Sequence, residues 1–100
     1  MLNIENLKEA IKEKRQIKIN YNSQGIRTIL PAALYYHQHT GKLLVDAFQI
    51  NGYSESGEVP GWKIFEVDKI FQLSLTEIFF STIAGYNRFS NRYLNAVARI

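Results

Sequence analysis

One hundred residues with 46% hydrophobic composition suffice for one core and are too few for two domains. No cysteine is present, which excludes disulfides and thiolate metal sites and fits a reducing cytoplasm. A formal charge of +3 and a pI near 9.3 permit contact with nucleic acid or another anion without requiring it.

The N-terminus carries no basic region followed by an apolar run, and nowhere does an apolar stretch approach the ~18 residues that span a bilayer. The expectation is a soluble, unexported, cytoplasmic chain. Ile4, Leu7, Ala10 and Ile11 recur at helical spacing over Ile4 to Lys14, with Asn3 as N-cap and Glu5 near the helix start. From Ile17 the period becomes two, with Ile17, Ile19 and Tyr21 on one face of a strand. Asn22-Ser23-Gln24-Gly25 reads as a turn, Arg27 to Leu30 resumes as strand, and Pro31 marks an edge or a bend. A further run from Leu34 to His39 ends at the turn signal Thr40-Gly41.

Leu43 to Ile50 is apolar on both parities apart from Asp46 and Gln49, the pattern of a centrally buried strand. Asp46 has no role evident in the sequence. A polar loop covers Asn51 to Gly61, and Trp62 to Val67 and Ile70 to Leu75 supply two more strands about an Asp68-Lys69 corner. Ile78, Phe79 and Phe80 read as core-facing. After a break at Ile83 to Asn87, Phe89, Tyr93, Ala96, Val97 and Ile100 return to helical spacing, with Asn87 or Ser90 as caps. The expected fold is mainly β within the α+β class: an N-terminal helix, a five-stranded SH3-like or Sm-like barrel and a short C-terminal helix. Helix and barrel should occupy about 3–78 and a C-terminal extension about 79–100, all within one domain.

Taken in order, Leu7-x-x-Ala10-Ile11, Ile17-x-Ile19-x-Tyr21, Arg27-x-x-x-Pro31, Gly41-Lys42-Leu43-Leu44-Val45-Asp46-Ala47-Phe48 and Lys63-x-Phe65-x-Val67-Asp68-Lys69-Ile70 resemble the WYL domain. The resemblance, from about Leu7 to Thr76, implies a bacterial or phage-associated Sm-like barrel that serves as the ligand-sensing module of transcription regulators. It further implies a nucleotide or nucleic-acid ligand, and a sensing half without its own DNA-reading half. The tripeptide that names the family falls on Leu43-Leu44-Val45, and its paired arginines fall on Lys63 and Lys69. Lysine keeps the charge but lacks the planar five-donor guanidinium, so any anion site here should be less directional than in a typical member.

Arg27, Lys63 and Lys69, on different strands or strand ends, are the candidate anion-binding residues; the alternative is three solvated heads whose stems cover apolar surface. Tyr21, Tyr35, Tyr36 and Trp62 are aromatic platforms on which bases can stack. Tyr21 shares parity with Ile17 and Ile19 and suits the core, whereas Trp62, between Gly61 and Lys63, is the better platform. Both join the candidate ligand-binding set. His37 and His39 share a strand face, but no third or fourth ligand is evident, so neither a metal nor a cofactor is expected. No phosphate loop or Ser, His and Asp set has a recognisable context, and no enzymatic activity is expected. The expected function is regulatory binding of nucleic acid or a nucleotide-like anion. The alternative is a protein-interaction or self-association module, docking the C-terminal apolar stripe on a regulator protein or a second copy.

Overall fold

A computed structural model describes residues 2–100. The chain order is helix α1 (Leu2–Glu13), strands β1 (Arg15–Tyr21), β2 (Ile26–Tyr36), β3 (Leu43–Gly52) and β4 (Gly61–Glu66), a 3-10 turn (Val67–Lys69), β5 (Ile70–Phe79), a second 3-10 turn (Asn91–Tyr93) and β6 (Ala98–Arg99). The five longer strands form one antiparallel sheet in the order β4-β3-β2-β1-β5, and β6 pairs with β2. Among the described residues no ladder joins β4 to β5, so the expected barrel is not closed by strand pairing. The sheet nevertheless curls far enough for Tyr21, at the end of β1, to bring its ring 4.8 Å from Phe65 of β4 and accept a hydrogen bond from the Glu66 N–H at 3.0 Å.

Helix α1 buries Leu7, Ala10 and Ile11 against the concave face, where Ile17, Ile19, Ile29, Leu34, Val45, Ala47 and Phe65 complete the main core. Its charge order suits the helix dipole, with Glu5 in the first turn and Lys12 in the last. Asn3 lies within the helix, not at its cap, and its side-chain amide donates to the Ile70 carbonyl at 2.9 Å.

β2 runs through Pro31 instead of ending there. Proline gives no N–H to a ladder, and the register with β3 shifts between Pro31 and Ala33. Before the shift β2 pairs with β1; after it, Ala33 and Leu34 pair with Arg99 and Ala98 of β6. The β1 ladder ends at Ile29, which leaves the same edge of β2 open to the C-terminus.

The expected C-terminal helix is absent. Residues 80–97 form a strap of turns closed by three-residue backbone bonds, Ser90 N–H to Asn87, Tyr93 to Ser90, Leu94 to Asn91 and Ala96 to Tyr93. A stretch this short gains little from isolated helix formation. The backbone bonds instead to β2, with the Val97 N–H donating to Leu34 at 2.8 Å and that of Ile100 to Ala32 at 3.0 Å. The apolar stripe is divided accordingly: Tyr93 is buried, Ile100 packs against the main core, and Phe89 is 79% exposed. Ile78 and Phe79, expected in the core, are exposed at the end of β5.

Candidate functional site

Strand alternation places two sets of side chains on opposite faces of β3 and β4. Val45, Ala47, Gln49, Lys63 and Phe65 share the concave face, while Leu44, Asp46, Phe48, Trp62 and Ile64 share the other. Each face carries a cavity.

On the concave side, Arg27 from β2, Lys63 from β4 and Lys69 from the 3-10 turn border a cavity of about 350 Å³ together with Tyr21, Gln24 and Ser54. Arg27 is the buried member. Its guanidinium carbon lies 5.2 Å from the Tyr21 ring centre and 5.4 Å from those of Tyr53 and Phe65, so three aromatic faces offset the loss of water around the cation. One terminal nitrogen donates to Gln24 Oε1 at 3.1 Å and the other reaches Gln49 Oε1 at 3.4 Å, while Nε has no partner among the described residues. Gln49 is itself held by donating to the carbonyls of Asn51 and Tyr53, at 3.2 and 2.8 Å.

Lys63 Nζ donates to Ser54 Oγ at 3.1 Å and Ser56 Oγ at 2.9 Å. Those neutral partners orient the ammonium without cancelling its charge. Lys69 is exposed and pairs with Glu66 at 2.8 Å; Lys42 approaches the same carboxylate at 3.0 Å. Hydrogen bonds from Lys69 and Lys42 hold the Glu66 carboxyl below its ordinary range, and Glu66 in turn raises Lys69. Around the cavity three cations face one lining carboxylate, Glu55, which accepts from Gln24 at 2.6 Å. The surface is positive and carries donors suited to phosphate oxygens.

Trp62 does not join this group. Its ring lies on the other face, 6.2 Å from the Tyr86 ring at an interplanar angle of 24°, and its indole N–H donates to the Ala84 carbonyl at 2.9 Å. Gly85 permits that approach: it has φ +83°, and a Cβ there would lie 3.1 Å from the indole nitrogen. A second cavity, of about 560 Å³, opens between this part of the strap and β4.

At its floor lies the residue that sequence reasoning left unexplained. Asp46, only 2% exposed, accepts hydrogen bonds from the hydroxyls of Tyr35 at 2.7 Å and Tyr93 at 2.6 Å and from Arg92 at 2.9 Å. Burial, with the hydrogen bond to Asp46 second, pushes both phenols well above their ordinary range, and the same carboxylate raises Arg92. Tyr35 is thereby occupied in a buried cluster, whereas Tyr36 is exposed on the sheet end. His37 Nδ1 accepts the backbone N–H groups of His39 and Thr40, which fixes a turn. No metal-ligand cluster is found among the described residues.

The concave cavity sits on a fold with a counterpart among solved structures. Proteasome accessory factor B/C (PafBC) of Arthrobacter aurescens superposes with a TM-score of 0.65 at 15% identity, over 85% of this chain and 13% of that one. The fold is WYL-like. The chain therefore spans about 13% of that protein's length, and at 15% identity the likeness concerns architecture. Neither a family model nor a curated protein sequence matches the chain. Within the WYL-like fold, the sequence motif positions Arg27, Lys63 and Lys69 share one cavity, and the named tripeptide position, Leu43-Leu44-Val45, lies in β3 with Leu44 and Val45 buried on opposite faces. No helix among the described residues is long and apolar enough to cross a membrane.

The residues missed from sequence are Tyr35, Tyr93 and Arg92 as partners of Asp46. A carboxylate in an apolar strand announces a need for donors, but nothing in the spacing tells that two of them arrive from almost fifty residues later.

Proposed function

We propose that this chain is a regulatory ligand-binding module that takes nucleic acid or a nucleotide-like anion at the concave cavity. The observation that carries this reading is the convergence of Arg27, Lys63 and Lys69 on one cavity of about 350 Å³. Arg27, sunk between aromatic rings, sets the potential at the base. Lys63 and Lys69, nearer solvent, meet the phosphate oxygens. The Tyr21 ring borders the same space and offers an aromatic edge to a base or sugar. The resemblance of these positions to the basic positions of WYL domains, and the WYL-like fold, support the reading. The helix on which the protein-interaction or self-association alternative relied is absent, and no feature of the strap favours that alternative over the cavity.

Labelled single-stranded oligonucleotides and mononucleotides, titrated at two salt concentrations, test the proposal. With two or three phosphates neutralised, log K for a single strand should fall with log salt at a slope of about −1.4 to −2. Lys63→Ala and Lys69→Ala should each reduce that slope by ~0.7 and weaken all sequences alike. Absence of salt-sensitive binding in both ligand classes removes the proposal.

A further inference from the structure

The 560 Å³ cavity on the other face of β4 has the features of a second, separate site. Its volume lies within the ~300–1,000 Å³ typical of small-molecule pockets. One wall is aromatic: Trp62 stacks on Tyr86 at 6.2 Å, and Tyr86 continues to Tyr93 at 5.9 Å. The Trp62–Ala84 hydrogen bond, together with one from the Tyr86 hydroxyl to the Ile100 carbonyl at 2.9 Å, holds these rings in place before any ligand arrives. Asn87 and Ser90 supply polar groups at the rim.

The charges decide what fits against that wall. Asp46 borders the cavity but is only 2% exposed and is satisfied by two hydroxyls and Arg92. It presents no free negative charge. Arg92 is half exposed at its side chain and gives one N–H to Asp46, and its other guanidinium donors have no side-chain partner among the described residues. Lys63 also borders this cavity, but its ammonium is held by Ser54 and Ser56 on the concave side, so Arg92 is the cation that faces the aromatic wall. The lining therefore combines a flat apolar surface with an arginine able to grip a carboxylate.

We propose that this cavity binds a small planar aromatic carboxylate, its ring on the Trp62–Tyr86 wall and its carboxylate on Arg92. Lys63 borders both cavities, but Arg27 and Lys69 border only the concave one and Trp62, Tyr86 and Arg92 only this one, so the two readings are tested separately.

The chain's one tryptophan is Trp62, so a single indole N–H resonance reports on the wall directly. The probes are 2-naphthoate, the cationic 2-(aminomethyl)naphthalene and the non-planar cyclohexanecarboxylate, with affinities measured by calorimetry. 2-Naphthoate should shift the indole resonance saturably, bind ~5-fold or more tightly than cyclohexanecarboxylate, and outcompete the amine. Tyr86→Leu should weaken it ~5-fold, while Tyr86→Phe, which keeps the ring, should stay within ~2-fold of the parent. Arg92→Gln should weaken 2-naphthoate ~10-fold without affecting the amine. Lys69→Ala should leave 2-naphthoate binding unchanged while lowering oligonucleotide binding, so failure at one site is distinguished from failure at the other. Equal response to the acid and the amine, or no saturable indole shift in the parent protein, overturns the proposal even if a variant does not fold.

Discussion

Replacing Asp46 should reveal how the strap is held to the sheet. Asp46→Ala leaves the Tyr35 and Tyr93 hydroxyls, both in a buried cluster, without their acceptor. An orphaned buried polar group costs about 1–3 kcal/mol, so the two together cost roughly 2–6 kcal/mol. Arg92 adds little, because its side chain is 50% exposed and water replaces the lost partner. A loss of ~3–5 kcal/mol is expected, a large share of the ~5–15 kcal/mol that stabilises a typical domain. Tyr93→Phe removes one donor to a charged acceptor and should cost ~1.5–3 kcal/mol. In the Asp46→Ala background the same Tyr93→Phe change should cost almost nothing, since it deletes a hydroxyl already orphaned, giving a coupling energy of ~1.5–3 kcal/mol. Urea unfolding of the four proteins measures this, provided that the m-value stays constant across the set. Hydrogen exchange adds a local readout, with faster exchange expected for the Val97 and Ile100 amides that bond to β2. Additive costs in the double mutant, or an Asp46→Ala cost below ~1 kcal/mol, would show that the carboxylate does not anchor the strap.

Gly85→Val should move the strap off the indole, because a side chain at φ +83° is strained and its Cβ meets the indole nitrogen at 3.1 Å; a changed Trp62 fluorescence spectrum with an intact far-ultraviolet dichroism spectrum checks this. Gly52→Ala should be more damaging, at about 3 kcal/mol or more, since the added Cβ runs into the Ile26 carbonyl oxygen and lies 2.7 Å from Arg27 Cα, both rigid backbone; thermal unfolding reads the loss. In alkali, Tyr35, Tyr86 and Tyr93 have folded-state values raised above the unfolded phenol value of about 10, so the stability that they contribute is present below that pH and is lost as pH rises beyond it. Phenolate absorbance should accordingly show three of the six tyrosines ionising only together with unfolding. At the acid end Glu66 is depressed, so its contribution is present above the unfolded value of about 4.3 and disappears as pH falls through the lower folded value; Glu66→Gln should flatten the stability profile in that window.

Local pattern was enough for the first helix, the alternating strands and the turns at residues 22–25 and 40–41, because each depends on spacing that a short segment carries in itself. The Ile17, Ile19 and Tyr21 parity already names the concave face, and a basic residue on each of three separate segments already suggests an anion surface. The C-terminus resisted such reading. Phe89, Tyr93, Val97 and Ile100 have helical spacing, yet the β1 ladder stops at Ile29 and leaves one edge of β2 open, and backbone bonding to that edge outweighs a weak local helical preference. Asp46 shows the same limit from the other direction. Its presence in an apolar strand is visible in the sequence, but its partners are not, because a hydrogen bond depends on ångström-scale placement that no residue spacing encodes. Sequence alone therefore determined the first helix with its apolar face, the strand character of most of the sheet and the apolar parity of β1. The tertiary structure decided that Lys63 and Trp62, adjacent in the chain, serve opposite faces of one strand with a cavity on each face, since a pleated backbone turns neighbouring side chains apart and only the surrounding strands and strap give each side its own company.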